Sequence, residues 1–215
     1  MDSFFQQVKN ISNIDDAISL LKRSVEFDSQ IQHAIDFSLQ AHQGQFRKSG
    51  EPYVVHPILV ACITAHFSND SSMVISALLH DVVEDTKYTL EDVKQSYGLD
   101  VAYIVDGLTK IVEIREHELV KADSNEKLLS SALSFRKMLI ASIDDVRVLV
   151  IKLCDRLHNM LTLDALVPEK RIRISEETLV VYAPIAHRLG ISTLKNELED
   201  LSFSYIYPND FKKIN

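Results

Sequence analysis

The stretch Ser76-Ala77-Leu78-Leu79-His80-Asp81-Val82-Val83-Glu84-Asp85 puts one imidazole and three carboxylates at the end of an apolar run that begins near Met73. Read as one buried helix from Met73 to Val83 with its last turn, it sets His80 beside Glu84 and Asp81 beside Asp85 on one face, at about 3.6 residues per turn. Carboxylates crowded at a helix C-terminus oppose the macrodipole and repel one another, so local stability is a poor reason for them. A bound cation reverses the sign of that cost. The bland alternative is an amphipathic helix running out into solvent.

Two further residues extend the set. His56 precedes Pro57, which predicts an extended residue 56 at the entrance of a helix that Pro57 opens and that runs to about Phe67. Taken alone, His56 reads as a cap or packing histidine. Asp155 lies inside the apolar helical run Val146 to Met160, where an unpaired charge is expensive; it needs Arg156, Lys152 or His158 as partner, or a metal. Together His56, His80, Asp81 and Asp155 offer two imidazoles and two carboxylates. That mixed set suits Mn²⁺, Fe²⁺ or Zn²⁺ more than Ca²⁺, and the lack of thiolates argues against a closed structural zinc.

The elements that position these residues follow from composition and periodicity. A chain of 215 residues, 46% apolar, can bury one core. Five Gly, five Pro and no long β-branched alternation predict a single all-α domain of roughly ten helices. Residues 1–26 read as a peripheral entry segment with a short helix from Asp15 to Val25. Asp28 or Ser29 caps the next helix, which Gly44 ends. A Ser/Gly/Pro loop follows to Tyr53, then the His56 helix. Asn69 to Ser72 caps the central helix, Thr89 caps another, Gly98 breaks it, and Val101 to Val112 continues. The charged interval Ile114 to Lys127 reads as an exposed, mobile connection. Periodicity returns from Leu128 to Leu139, then after Asp144 or Asp145, after Pro168, and from Ser192 to Ser202.

A formal net charge of −8 argues against broad nucleic-acid binding, which needs a basic surface. Cys62 and Cys154 sit in apolar surroundings and read as buried free thiols. With no secretion signal at the start and no run of membrane-spanning length, the expectation is a soluble cytoplasmic protein.

Five ordered motifs carry a resemblance. They are Gly44-Gln45-Phe46-Arg47-Lys48-Ser49-Gly50-Glu51-Pro52-Tyr53-Val54-Val55-His56-Pro57, Leu79 to Thr86, Asp106-Gly107-Leu108-Thr109-Lys110, Lys152 to Met160, and Tyr182 to Ile191. Over residues 27 to 210 the chain resembles the N-terminal HD-type hydrolase domain of RelA/SpoT alarmone enzymes, an all-helical fold. The resemblance implies Mn²⁺-dependent hydrolysis of the 3′-diphosphate of ppGpp and pppGpp, giving GDP or GTP and pyrophosphate. His56, His80, Asp81 and Asp155 match the metal ligands, and Glu84 and Asp85 the acidic pair placed to activate water or shuttle protons. Arg47, Lys48 and Ser49 match the nucleotide-contacting loop, with Arg47 suited to stacking on guanine. Asn159 and Thr162 match residues near the ribose and base. Leu161 departs from the family, which usually has Arg there. By the same resemblance, residues 27–190 form the hydrolase unit and 191–215 a helical connection towards a synthetase domain, with regulatory domains beyond. The alternatives are an HD-type nucleotidase acting on other nucleoside phosphates and a non-catalytic regulatory module.

Overall fold

The computed structural model describes residues 2–119 and 145–214. Its helices are α1 Ser3–Lys9, α2 Ile14–Ser24, α3 Ser29–Ala41, α4 Val55–Phe67, α5 Ser71–Leu78, α6 Val82–Asp85 and α7 Leu90–Leu119. After the undescribed interval come α8 Val146–Leu161, α9 Pro168–Glu177, α10 Ala183–Arg188, α11 Ser192–Ile206 and α12 Pro208–Ile214. Among the described residues the only extended pairing is one antiparallel bridge, Phe46 with Pro52. The fold is all-α, as the pattern predicts.

At its centre is α4, which has no solvent face: every residue from Val55 to Ala65 is buried. It packs against α2, α5 and α8. Each fully buried Ile or Leu there, such as Ile58, Leu59 and Ile63, contributes about 1.5–3 kcal/mol relative to exposure. Helix starts are fixed by side chains. Asp28 accepts from Ile31 N at 2.8 Å, Asp70 from Ser72 N at 2.9 Å and Asp145 from Arg147 N at 2.9 Å, each cap contributing about 1 kcal/mol. Thr89 and Asp92 cap α7 reciprocally. Gly98 has φ 87°, a left-handed conformation open to glycine, and it kinks α7 where a break is predicted.

Four expectations need correction. The N-terminal segment is not peripheral: α1 forms as a further helix, and Phe5, Val8, Ala17, Leu20 and Leu21 join the common core. His56 is not extended but lies in the first turn of α4, its N–H donating to Tyr53 O at 2.9 Å. Pro57 is tolerated in that turn because its missing N–H would have had no intrahelical partner. The run from Met73 is not one helix; α5 stops at Leu78 and α6 begins at Val82. Neither Gly nor Pro marks this break. The His80 ring bonds Ala77 O at 2.7 Å, the carbonyl that an unbroken helix would give to the Asp81 N–H. Asp81, Glu84 and Asp85 therefore stand at the start of a one-turn helix, not at the end of a long one. Finally, the backbone of α7 stays helical through Leu119, past the predicted start of the charged connection at Ile114. Residues 120–127 of that interval, the helix predicted from Leu128 to Leu139 and the candidate cap Asp144 lie outside the described residues.

Where α7 crosses α8, Gly107 lies against Val148: a Cβ there would lie 2.8 Å from Val148 Cγ2. Val148 is buried, and a β-branched side chain has little rotamer freedom in a helix. Gly107→Ala should therefore cost a net of up to about 2 kcal/mol, with overpacking of about 1–3 kcal/mol set against the roughly 1 kcal/mol gain in helix propensity. Denaturant unfolding of both proteins measures it, and an unchanged or higher midpoint would show that the helices part freely.

The beginnings of α5 and α8 and the part of α7 just after its Gly98 kink are tied by Arg147. Its guanidinium holds Asp100 in a bidentate pair at 2.6 and 2.9 Å, Asp145 at 2.7 Å and Asp70 at 3.3 Å. The Arg147 hydrogen bonds hold the Asp100 and Asp145 carboxyls below their usual value of 3.8. Depressed carboxylates stabilise above the unfolded-state value and lose that stabilisation as the pH falls through the folded one. The stability difference between wild type and Arg147→Ala should thus be full at pH 7 and shrink below about pH 4. Urea titrations at pH 7 and pH 3 compare the two; an equal difference at both would mean that packing, not charge, is what Arg147 contributes.

Candidate active site

Three segments bring the predicted metal ligands to one corner. His56 comes from the first turn of α4, His80 and Asp81 from the turn between α5 and α6, and Asp155 from α8. His56 Nε2 lies 3.3 Å from Asp155 Oδ1 and 3.7 Å from Asp81 Oδ2. His80 Nε2 lies 3.1 Å from Asp81 Oδ2 and 3.9 Å from Asp155 Oδ1. Donors bound to one ion at about 2.0–2.2 Å stand about 3–3.6 Å apart, close to this spacing. The His80 ring is oriented by its Nδ1 bond to Ala77 O, which leaves Nε2 buried and without an aligned hydrogen-bond partner. An imidazole held by a backbone carbonyl and presenting its other nitrogen to carboxylates is the arrangement of a metal-binding histidine. The donor set fits a divalent cation.

Electrostatics keep these groups in contrasting states. Burial alone would raise Asp155, but the Lys152 ammonium, 2.8 Å from Oδ2, together with the His56 and His80 rings outweighs it and holds the carboxyl well below the usual range. Burial likewise opposes ionisation of Asp81, and His80 beside it prevails, moving Asp81 down. His80 itself is lifted to about 9, because Asp81 overcomes its desolvation. His56 and His158 are both pushed down by burial. Burial raises Glu84 to about 7, a value suited to exchanging a proton near neutrality.

Around this corner lies a ring of groups that fix it. The Tyr53 hydroxyl is 2.7 Å from Asp81 Oδ2 and 2.9 Å from Asp85 Oδ2. Gln45 donates to Asp85 O at 2.8 Å. Asn159 donates to Asp155 Oδ1 at 2.6 Å and accepts from Arg47 at 2.9 Å. Of the three partners open to Asp155, Lys152 is the ion pair. Arg156 turns instead to Glu177 at 3.1 Å and lies over the Tyr182 ring at 3.8 Å.

Asp155 also borders a cavity of about 390 Å³, whose wall carries Arg47, Lys48, Ser49, Asn159 and Thr162, the residues predicted to meet substrate. Lys48 and Ser49 stand at its exposed rim. Thr162 caps α8, its hydroxyl donating to His158 O at 3.1 Å. Leu161 is buried in the core instead of facing this space. Sequence reasoning gave no role to Tyr53, Arg173 or Tyr182, which also line the cavity. It named Lys152 and His158 only as possible partners of Asp155. Their spacing of three residues on either side of Asp155 places all three on one helix face, and that was the available signal. Tyr182 belongs to a π-helical stretch, Thr178 to Tyr182, a local widening frequent at functional sites.

Comparison with known proteins agrees with this geometry. The chain is 50% identical over 172 residues to guanosine-3′,5′-bis(diphosphate) 3′-pyrophosphohydrolase of Haemophilus influenzae, covering 80% of this chain and 24% of that protein. It is 48% identical over 174 residues to bifunctional (p)ppGpp synthase/hydrolase SpoT of Escherichia coli, covering 81% and 24%. A relative in Myxococcus xanthus, 47% identical over 84% of this chain and 23% of its own length, is named GTP pyrophosphokinase. The chain thus spans about a quarter of the length of the curated relatives it matches. Among solved structures, one described as a metazoan ortholog of SpoT that hydrolyzes ppGpp aligns with a TM-score of 0.57 over 87% of this chain and 99% of that one. At 24% identity that likeness is one of fold. No helix among the described residues is long and apolar enough to cross a membrane. Residues 34–192, which include His56, His80, Asp81 and Asp155, match the HD domain family, and the chain belongs to that family.

Proposed function

We propose that this domain is a Mn²⁺-dependent 3′-pyrophosphohydrolase that degrades ppGpp and pppGpp to GDP or GTP and pyrophosphate. The observation that carries the reading is the cluster of His56, His80 and Asp81, with Asp155 beside the two imidazoles, at the edge of a cavity walled by Arg47, Lys48, Lys152 and Arg173. A polyanionic nucleotide is the ligand that such a cationic cavity beside a metal corner takes, whatever the overall negative charge. The names of the relatives support the choice of nucleotide. Fe²⁺ and Zn²⁺ suit the same donors. The buried free thiols Cys62 and Cys154 support a cytoplasmic setting. The family match supports residues 27–190 as the hydrolase unit, and the name of the Escherichia coli relative supports a synthetase partner joined through 191–215.

His56, His80, Asp81 and Asp155 would hold a divalent cation, which when bound would supply Lewis acidity and offset phosphoryl charge. Glu84 and Asp85 hold the attacking water and take its proton as the ribose 3′-O–P bond breaks; a proton returns to the 3′-oxygen, leaving pyrophosphate. Tyr53 orients Asp85, and Arg47, Lys48, Ser49, Asn159 and Thr162 seat the nucleotide. Incubation with ppGpp and Mn²⁺, followed by separation of products, tests the reading. GDP and pyrophosphate in equal amounts are expected; release of orthophosphate, or no turnover with Mn²⁺, Fe²⁺ or Zn²⁺, would overturn it.

A further inference from the structure

His158 lies one helical turn beyond Asp155 on α8 and is almost wholly buried, as is His56. The two rings face each other with their Nδ1 atoms 2.8 Å apart. At that distance one nitrogen must carry a proton and the other a lone pair. Arg47 decides which. Its Nη1 lies 3.3 Å from the same His158 Nδ1, and a guanidinium only donates. A proton on His158 Nδ1 would point an N–H at an N–H, so the lone pair belongs to His158 and the proton to His56.

Resting on the metal centre proposed above, we infer that His158 is a positioning residue: it accepts the Nδ1 proton of His56 and so turns the His56 Nε2 lone pair towards Asp81 and Asp155. A neutral imidazole has one lone pair, and placing the proton on Nδ1 leaves it at Nε2, the atom 3.3 Å from Asp155 Oδ1 and 3.7 Å from Asp81 Oδ2. A lone pair aimed at carboxylate oxygens is repulsive until a cation lies between them. The arrangement also carries a cost that packing alone does not explain. His158 Nε2, the other nitrogen of a ring whose Nδ1 accepts, is buried with no hydrogen-bond partner, and an orphaned donor costs about 1–3 kcal/mol. A leucine would fill the space without that cost. The same network joins substrate loop to metal corner twice, since Arg47 bonds both His158, which holds His56, and Asn159, which holds Asp155.

Long-range ¹H–¹⁵N correlation spectra of the metal-free wild-type protein read the His56 tautomer directly; protonated Nδ1 and bare Nε2 are expected. Mn²⁺ titration by calorimetry then compares His158→Leu with His158→Asn, whose amide oxygen offers two lone pairs where Nδ1 stood. Loss of an outer partner typically weakens metal binding by about 10–100-fold, which is expected for leucine, with asparagine near wild type. A His56 protonated on Nε2, or a folded His158→Leu that binds Mn²⁺ as tightly as wild type, would overturn the inference. If the leucine variant does not fold, asparagine decides: folded His158→Asn that loses the Nδ1–H tautomer or binds tenfold more weakly counts against it. Should wild type itself not bind Mn²⁺, the proposed hydrolase fails, while the tautomer still decides the role of His158.

Discussion

Asp155→Asn is expected to lose Mn²⁺ binding, by more than the roughly 10–100-fold that follows loss of an outer partner, and hydrolysis with it. Asp155 Oδ1 is the donor that α8 brings to the two imidazoles, and Lys152 keeps its carboxyl ionised in a buried position. Asparagine removes the charge but keeps the shape and an oxygen for Lys152. Alanine would do more: it would strand the Lys152 ammonium, and breaking one side of a buried pair costs about 3–5 kcal/mol. The two variants therefore separate the metal centre from the fold. Calorimetric Mn²⁺ titration beside a denaturation curve reads both, and stoichiometric Mn²⁺ with full activity in Asp155→Asn would remove Asp155 from the ligand set.

Glu84→Gln should leave the metal bound and lower turnover by about 100- to 10,000-fold, the range for general acid–base groups. Glu84 is not in the cluster of His56, His80 and Asp81, and burial lifts it to about 7, with the charges of Lys152, Asp81 and His80 also acting on it. As a base it must be ionised, so wild-type turnover should rise with pH through this region, and a bound cation shifts the rise lower. The glutamine variant should lose that limb of the profile. If Glu84→Gln instead releases Mn²⁺ with the pH limb intact, Glu84 is a ligand and the water must be activated elsewhere.

Much of this was readable because it rests on local chemistry. Asp28, Asp70, Thr89 and Asp145 cap helices by hydrogen bonds to amides two or three residues away, and Gly98 kinks α7 through its own backbone. Asp155 stood out as an expensive charge in an apolar run and His80, Asp81, Glu84 and Asp85 as crowded ionisable groups, whereas His56 alone read as a cap or packing histidine and joined the candidate set only beside the others. What escaped was set from a distance or from a side chain. At the gap between α5 and α6 the His80 ring occupies Ala77 O, with no breaker residue to announce the break. The seven-residue α1 is held by burial of Phe5 and Val8, not by propensity, since so short a helix is marginal alone. Tyr53 and His158 meet their partners across 28 and 102 residues of chain, separations at which no periodicity speaks.

The absence of a wet face on α4 reaches beyond packing. A helix apolar on all sides has nothing to offer water, so it is unstable unless its neighbours α2, α5 and α8 are docked around it. Its first turn bears His56, and two of those neighbours, α5 and α8, lead to or bear the other three donors. Amide protons along α4 should then exchange with solvent only through opening of the whole domain, with none of the gradual fraying seen in peripheral helices. The corner and the core melt as one cooperative unit, and an ion present at 100 times its dissociation constant would protect that entire unit by about 2.7 kcal/mol.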